Sequence, residues 1–312
     1  MIAEKFKILS IDGGGFRGAY SAHILKRIEE EFHIHWKNDF NLIAGTSTGS
    51  IIAAGLAFGM SAKELFDFYE KYGKNIFKKR FLPRTGLFTS QHCQHKLKEI
   101  LDSVFGDTRL KDIEVPLIIP STDIGNGCVH VFKSAYHDEF VRDPNVKVAD
   151  AVLASCSAPT YFDPHLVDNK YLLCDGGLWA NNPALVAMID AKKRLDIRME
   201  DLLILSLGTG IGKQYYSPNK KKKSFFGWGF ITKWERNKFI DMILNLQAEN
   251  STNMLKLLLQ DGQLLRINFE ADRKLSLDDP SRLADWVSKA DHDFTHNYID
   301  IAKFLKLKKK ER

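Results

Sequence analysis

The 312-residue chain predicts an α/β fold with a mainly parallel central sheet covered by helices on both faces. Three observations predict it. Short apolar runs alternate with longer amphipathic stretches, the pattern of strands feeding crossover helices. No repeat or Pro/Gly-rich linker interrupts the chain, so one domain over 1–312 is expected, with an insert at about 213–234 and a basic tail at 303–312. Hydrophobic residues make up 44% and charged residues 27%, a balance that supports a large core without staples.

The elements follow in order. Phe6 to Ile11 reads as the first strand. Ala19 to Phe32 reads as a helix, because Ile24, Leu25 and Ile28 share one face. Phe40 to Ala44 is a second buried strand, followed by helices over about Gly49–Phe58 and Ala62–Tyr72. Further strands are expected at Val115–Ser121, Val129–Phe132, Tyr171–Cys174 and Leu202–Leu207. Helices fit Val148–Ala154, Ala184–Arg194, Lys238–Leu259 and Leu283–Leu305. In such sheets chemistry collects at the carboxyl ends of strands, so the glycine clusters belong on one edge.

Several classes are excluded. Cysteines 93, 128, 156 and 174 form no close pair, which rules out a disulfide scaffold and a CxxC knuckle and favours a reducing compartment. The longest nearly uninterrupted apolar run, Ile51 to Met60, is too short to span a bilayer. Met1 to Lys7 is mixed in charge and is not read as a signal peptide. The net charge is +6, yet Lys220–Lys223 alone carry four positive charges and the tail a net five, leaving the body at −3. That distribution argues against DNA or RNA as a partner and suits local contact with an anionic membrane or ligand. The insert also holds Tyr215, Tyr216, Phe225, Phe226, Trp228, Phe230 and Trp234 beside its lysines, a composition that fits a membrane interface or a loop packed on the body.

The first strand runs into Asp12-Gly13-Gly14-Gly15-Phe16-Arg17-Gly18. Gly13, Gly15 and Gly18 match G-x-G-x-x-G, but the second strand ends without the acid that would hold a ribose, and Ala19 stands where a P-loop needs lysine. A dinucleotide oxidoreductase is therefore disfavoured. What remains is a nest of backbone amides at a helix N-terminus, able to hold a phosphate or a transient oxyanion, with Arg17 bracing the loop or the anion.

Gly45-Thr46-Ser47-Thr48-Gly49 is G-x-S-x-G between a strand and a helix, the setting of a nucleophile elbow. Ser47 is the candidate nucleophile, and the amide of Thr48 an oxyanion donor. No histidine is a convincing base: His165 precedes the best acid, and His292 and His296 sit on an amphipathic helix. The acid that stands out is Asp175, at a strand end and followed by Gly176 and Gly177. An Asp-Gly turn is the plainer alternative.

Taken in order, these blocks resemble the patatin-like phospholipase family. The resemblance adds Ser157-Ala158-Pro159-Thr160-Tyr161-Phe162, Asn181-Asn182-Pro183, Ser206-Leu207-Gly208-Thr209-Gly210, Arg266-Ile267-Asn268 and Leu275-Ser276-Leu277-Asp278-Asp279. It implies a patatin-like three-layer α/β/α fold and a Ser47–Asp175 dyad acting without histidine. It also implies an oxyanion hole from the Gly13, Gly14 and Gly15 amides, and membrane phospholipid as substrate. Gly18, Gly45, Gly49, Gly176 and Gly177 would support these motifs. The opening also resembles bacterial patatin-like effectors of antiviral defence. That likeness implies activation by a cyclic di- or oligonucleotide, self-association into a homo-oligomer, and a cytoplasmic protein that meets the inner face of the membrane when active. The competing reading is a catalytically silent lipid- or nucleotide-binding module on the same fold.

No cofactor and no metal are expected. His292 and His296 have the spacing of the H-E-x-x-H zinc motif, but Asp293 replaces the glutamate and no third ligand is evident. His92, Cys93 and His95 read as a polar helix face. The aromatics from Phe58 to Phe81 read as core, with some placed to line an acyl groove.

Overall fold

The computed structural model describes residues 5–76, 90–212, 236–271 and 277–306. The strands are β1 (Phe6–Ile11), β2 (Leu42–Gly45), β3 (Leu117–Asp123), β4 (Cys128–Lys133), β5 (His165–Val167), β6 (Tyr171–Asp175), β7 (Leu202–Leu207), β8 (Ile211–Gly212), β9 (Leu264–Ile267) and β10 (Glu270–Ala271). The helices are α1 (Gly18–Phe32), α2 (Trp36–Asp39), α3 (Thr48–Phe58), α4 (Ala62–Ile76), α5 (Gln94–Phe105), α6 (Val148–Ser155), α7 (Gly177–Ala180), α8 (Ala184–Arg194), α9 (Arg236–Leu258) and α10 (Leu283–Lys306). The insert at 213–234 lies outside the described residues, as does the tail beyond Lys306.

The main sheet has the order β5-β6-β3-β2-β1-β7-β9, with β4 paired to β3. The strands β3, β2, β1, β7 and β9 run parallel, and β4, β5 and β6 add antiparallel pairs. Side chains alternate between two apolar cores. Leu9, Ile11, Ile43, Leu117, Ile119, Leu205 and Leu207 point into the larger one, with α1, α3, α4, α5, α6 and α10. Phe6, Ile8, Leu42, Ala44, Ile118 and Ile204 point into the smaller one, with α8 and the end of α9. A strand buried on both faces reads as a continuous apolar run, and the three layers of the fold follow. Helix α3 carries no polar face because it is buried from Thr48 to Ala57 inside the larger core.

The register of β3 positions the site. β4 covers one edge of β3 from Ile118 to Asp123. The other edge is shared. β2 pairs with Leu117 and Ile118, running parallel, while β6 pairs with Ser121, Thr122 and Asp123, running antiparallel. The carboxyl ends of β2 and β6 therefore meet head-on beside Ile119 and Pro120. The Pro120 carbonyl faces that gap, where it accepts the Ser155 hydroxyl at 2.6 Å. N–H and C=O of one strand residue point to the same edge, so a residue without an amide hydrogen suits the place where no strand is present.

Some elements were not expected. The short edge strands β5 and β9 and helix α5 extend the predicted pattern. His165 lies in β5 and pairs with Asp150 at 2.9 Å. His92, expected on a polar helix face, precedes α5 and is fully buried, 3.3 Å from Asp278. His95 does sit on α5, exposed beside Glu99. His292 and His296 stack on α10 with ring centroids 4.0 Å apart, and no group of three metal-ligating side chains occurs among the described residues.

Candidate active site

Ser47 occupies the turn between β2 and α3 with φ 53° and ψ −126°. A non-glycine residue there costs on the order of 1–3 kcal/mol and persists only where neighbours fix it. They do. The Ser47 amide donates to Ser155 Oγ at 2.9 Å, and Ser155 Oγ in turn donates to the Pro120 carbonyl. The Ser47 carbonyl accepts from the Ser50 amide at 2.8 Å and the Ser50 hydroxyl at 2.6 Å. Thr46 Oγ1 donates to the Ala180 carbonyl at 2.6 Å. The elbow closes only because helix and strand touch: a Cβ on Gly49 would lie 2.3 Å from the Ile11 carbonyl oxygen. Gly45 packs on Gly49, Gly18 on Thr48 and Tyr69, and Gly176 on Pro120, so each of these glycines sits at a backbone approach around the elbow.

Asp175 ends β6 and is 4% exposed. Its Oδ1 accepts the Gly177 amide at 2.6 Å. Burial pushes its carboxyl up to about 6, with the Ser47 hydroxyl and the Gly177 amide pulling it partly back. Ser47 and Asp175, 128 residues apart in the chain, line one cavity.

The glycine turn supplies amides to that cavity, and two side chains, the remote Thr209 and the adjacent Arg17, aim them. The Gly13 carbonyl accepts the Thr209 hydroxyl at 2.7 Å. The Gly14 carbonyl accepts Arg17 Nε at 3.2 Å. In a trans peptide the N–H points opposite to the C=O, so tying these two carbonyls on one side turns the Gly14 and Gly15 amides to the other. Gly14, Gly15 and Thr48 all line the cavity, and the amides of Gly14 and Gly15 have no hydrogen-bond partner among the described residues. The Thr48 amide adds the first turn of α3, whose N-terminal end favours negative charge.

Two members of the expected oxyanion hole are corrected. The Gly13 amide is already engaged, donating to the Asn181 carbonyl at 3.0 Å. Arg17 is buried and grips the carbonyls of Gly14 and Gly210 at 3.2 and 3.3 Å, so its guanidinium braces the loop instead of meeting an anion. Thr209 was legible only as part of the Ser206–Gly210 block, with no role attached. Asp12 also gains one. It accepts from both terminal nitrogens of a half-buried Arg266, at 2.8 and 2.5 Å, and anchors the end of β1 to β9. Burial raises the Asp12 carboxyl and Arg266 opposes that rise.

Gly15 has φ +60°, and a Cβ there would lie 2.2 Å from the Leu277 carbonyl oxygen. Gly15→Ala is therefore expected to displace the turn and lower ester hydrolysis by about 100- to 1,000-fold, the loss typical of one oxyanion donor. Steady-state assay with a soluble ester checks this.

The cavity is narrow, with a volume of about 50 Å³. Away from the polar end its walls are apolar, including Ile51, Phe68, Tyr69, Ile76, Leu97 and Phe162. From the aromatic stretch read as core, Phe68 and Tyr69 reach this wall, whereas Phe58 is part-exposed against Phe105. Tyr69 is fixed by its hydroxyl, 2.5 Å from Thr48 Oγ1. A narrow apolar space ending at a hydroxyl, a carboxylate and inward amides suits an acyl chain with its ester carbonyl at the polar end. No helix among the described residues is long and apolar enough to cross a membrane.

Known proteins share this architecture. A family model described as patatin-like phospholipase matches residues 9–188. The chain is 31% identical to a cGAMP-activated phospholipase of Vibrio cholerae, over 98% of this chain and 96% of that one. A cGAMP-activated phospholipase of Pseudomonas aeruginosa is 32% identical over 80% of this chain and 74% of its own. Patatin-like protein 1 of Arabidopsis thaliana is 30% identical over 80% and 68%. Among solved structures, VipD from Legionella pneumophila superposes with a TM-score of 0.52 at 12% identity, covering 97% of this chain and 67% of that one.

Proposed function

From the premise that the chain belongs to the patatin-like phospholipase family and is a lipid acyl hydrolase, we propose that Ser47 and Asp175 are its catalytic dyad. The observation that supports the reading is one cavity lined by both side chains and by the Gly14 and Gly15 amides. We treat residues 1–312 as one catalytic unit, because its two cores share a single sheet.

In this reading Asp175 takes the Ser47 proton as Oγ attacks the ester carbonyl. A carboxyl held near 6 is a stronger base than an ordinary one near 3.8, while still ionised at neutral pH. The Gly14 and Gly15 amides receive the oxyanion, with Thr48 as a further donor. Asp175 returns the proton to the departing alcohol. Water then releases the fatty acid.

Two of these relatives are named for activation by cGAMP, and a further one from Escherichia coli for activation by cUMP-AMP. We carry over from them a cyclic dinucleotide as activator and phospholipid as substrate. Self-association on activation and contact with the membrane from the water side belong to the same proposal. One experiment tests both layers. A fluorophosphonate probe should label Ser47, and vesicles of phosphatidylethanolamine and phosphatidylglycerol should release fatty acid faster when a cyclic dinucleotide is added. Absence of labelling at Ser47 in active protein rejects the dyad. Equal hydrolysis with and without each cyclic dinucleotide rejects the activation.

A further inference from the structure

Asn181 follows α7, and its main chain and side chain do different things. The carbonyl accepts the Gly13 amide at 3.0 Å and so pins the glycine turn. The side chain has no such duty. Asn181 is 5% exposed and lines the catalytic cavity, yet its Oδ1 has no hydrogen-bond partner. Buried carboxamides are nearly always paired, and an orphan in a native site calls for a partner that arrives later.

Position indicates which partner. A Cβ built on Gly13 would lie 2.4 Å from Asn181 Oδ1 and 3.1 Å from Ser47 Cβ, so the oxygen lies within about 5.5 Å of Ser47 Cβ. A Cβ built on Gly177 would lie 3.1 Å from Asn181 Oδ1 and 3.0 Å from Asp175 Oδ1. The carboxamide oxygen thus lies within about 6.1 Å of Asp175 Oδ1 as well, near both members of the proposed dyad. The oxyanion donors Gly14 and Gly15 are held separately, by Thr209 and Arg17. Once an acyl group occupies Ser47, the group still missing there is the second nucleophile.

We propose that the Asn181 side chain positions the water that deacylates Ser47. This rests on the Ser47–Asp175 reading. Water has two hydrogens, and Asp175 takes only one. A carboxamide can accept the other through Oδ1 or donate to the oxygen through Nδ2, and either contact holds the molecule against the base. As the water oxygen bonds to the acyl carbon, one proton passes to Asp175. The tetrahedral intermediate then collapses, the bond from the acyl carbon to Ser47 Oγ breaks, and Asp175 returns the proton to Oγ. The second water hydrogen leaves on the fatty acid. Acylation needs no water, so it does not need Asn181.

Asn181→Ala keeps the carbonyl that pins Gly13 and removes a side chain without protein partners, so its melting temperature should match or exceed that of the wild type. With a p-nitrophenyl fatty ester, the variant should release one equivalent of nitrophenol at the wild-type rate and then turn over about 10- to 100-fold more slowly. Mass spectrometry should find acyl-Ser47 accumulated. Nitrophenol release and turnover that fall together overturn the proposal, since a misplaced nucleophile or a lost oxyanion donor does that. Unchanged turnover overturns it as well. Failure of the underlying dyad looks different: an adduct on another residue, or none in wild type and variant alike while turnover continues.

Discussion

Ser47→Ala should lower phospholipid hydrolysis by about 10⁴-fold or more while leaving the protein folded. Loss of a serine nucleophile removes the covalent route entirely, and what survives is binding and the oxyanion donors. The fold should not suffer, because the contacts that hold the elbow use the Ser47 amide and carbonyl and not its hydroxyl. The positive φ supplies an independent check. Ser47→Gly should be equally inactive and measurably more stable, since glycine adopts φ 53° without steric cost. Melting temperatures of the three proteins, read beside fatty-acid release from vesicles, separate the two effects. Near-normal hydrolysis by either variant would remove Ser47 from the mechanism.

Asp175→Asn should be similarly inactive, by about 10³- to 10⁴-fold, and should stabilise the protein at neutral pH. The sign follows from the carboxyl held near 6, above its ordinary 3.8. The folded protein binds this proton more tightly than the unfolded chain does. The contribution to stability is therefore full below about pH 4 and is lost as pH rises through 6. At pH 7 the ionised, buried carboxylate costs up to about 3 kcal/mol. Asparagine keeps an oxygen for the Gly177 amide and carries no charge. Urea unfolding at pH 7.5 should show the variant more stable than wild type, with the gap closing toward pH 4. Wild-type activity should run the other way, falling as pH drops through 6 and Asp175 takes up its proton. A variant less stable than wild type at pH 7.5 would mean that the carboxylate is not desolvated as described.

The alternating layers were legible because β1, β2, β3, β6 and β7 each carry an apolar run, and long helices such as α1 an apolar stripe. The elbow was legible for a local reason too: Gly45, Ser47 and Gly49 lie within five residues, between elements of known type. Asp175 was weaker, an Asp-Gly pair until the family resemblance gave it meaning. What escaped reading depends on contacts far apart in the chain. Arg266 meets Asp12 across 254 positions and Thr209 meets the Gly13 carbonyl across 196, and neither leaves a periodic trace. Arg17 and Gly13 were misassigned for a related reason. Sequence identifies a donor but not the acceptor that already occupies it, here the Gly14 carbonyl for one and the Asn181 carbonyl for the other. Strand β9 is only four residues long and half-buried, too short for its alternation to stand out. His92 misled because its neighbours are polar, whereas its ring lies in a pocket closed by Tyr161 and Phe162.

The head-on meeting of β2 and β6 along one edge of β3 has a mechanical consequence. The strands that lead to Ser47 and Asp175, the proposed dyad, are bonded to the same strand within a few residues of each other. Twisting or shearing of the sheet carries them together, so the span between hydroxyl and carboxylate behaves as a fixed gauge. Helices α4 and α5 form the wall opposite and carry none of the proton-transfer groups. In the proposed mechanism, the distance over which the proton moves is therefore set by the sheet and not by the wall that meets the lipid.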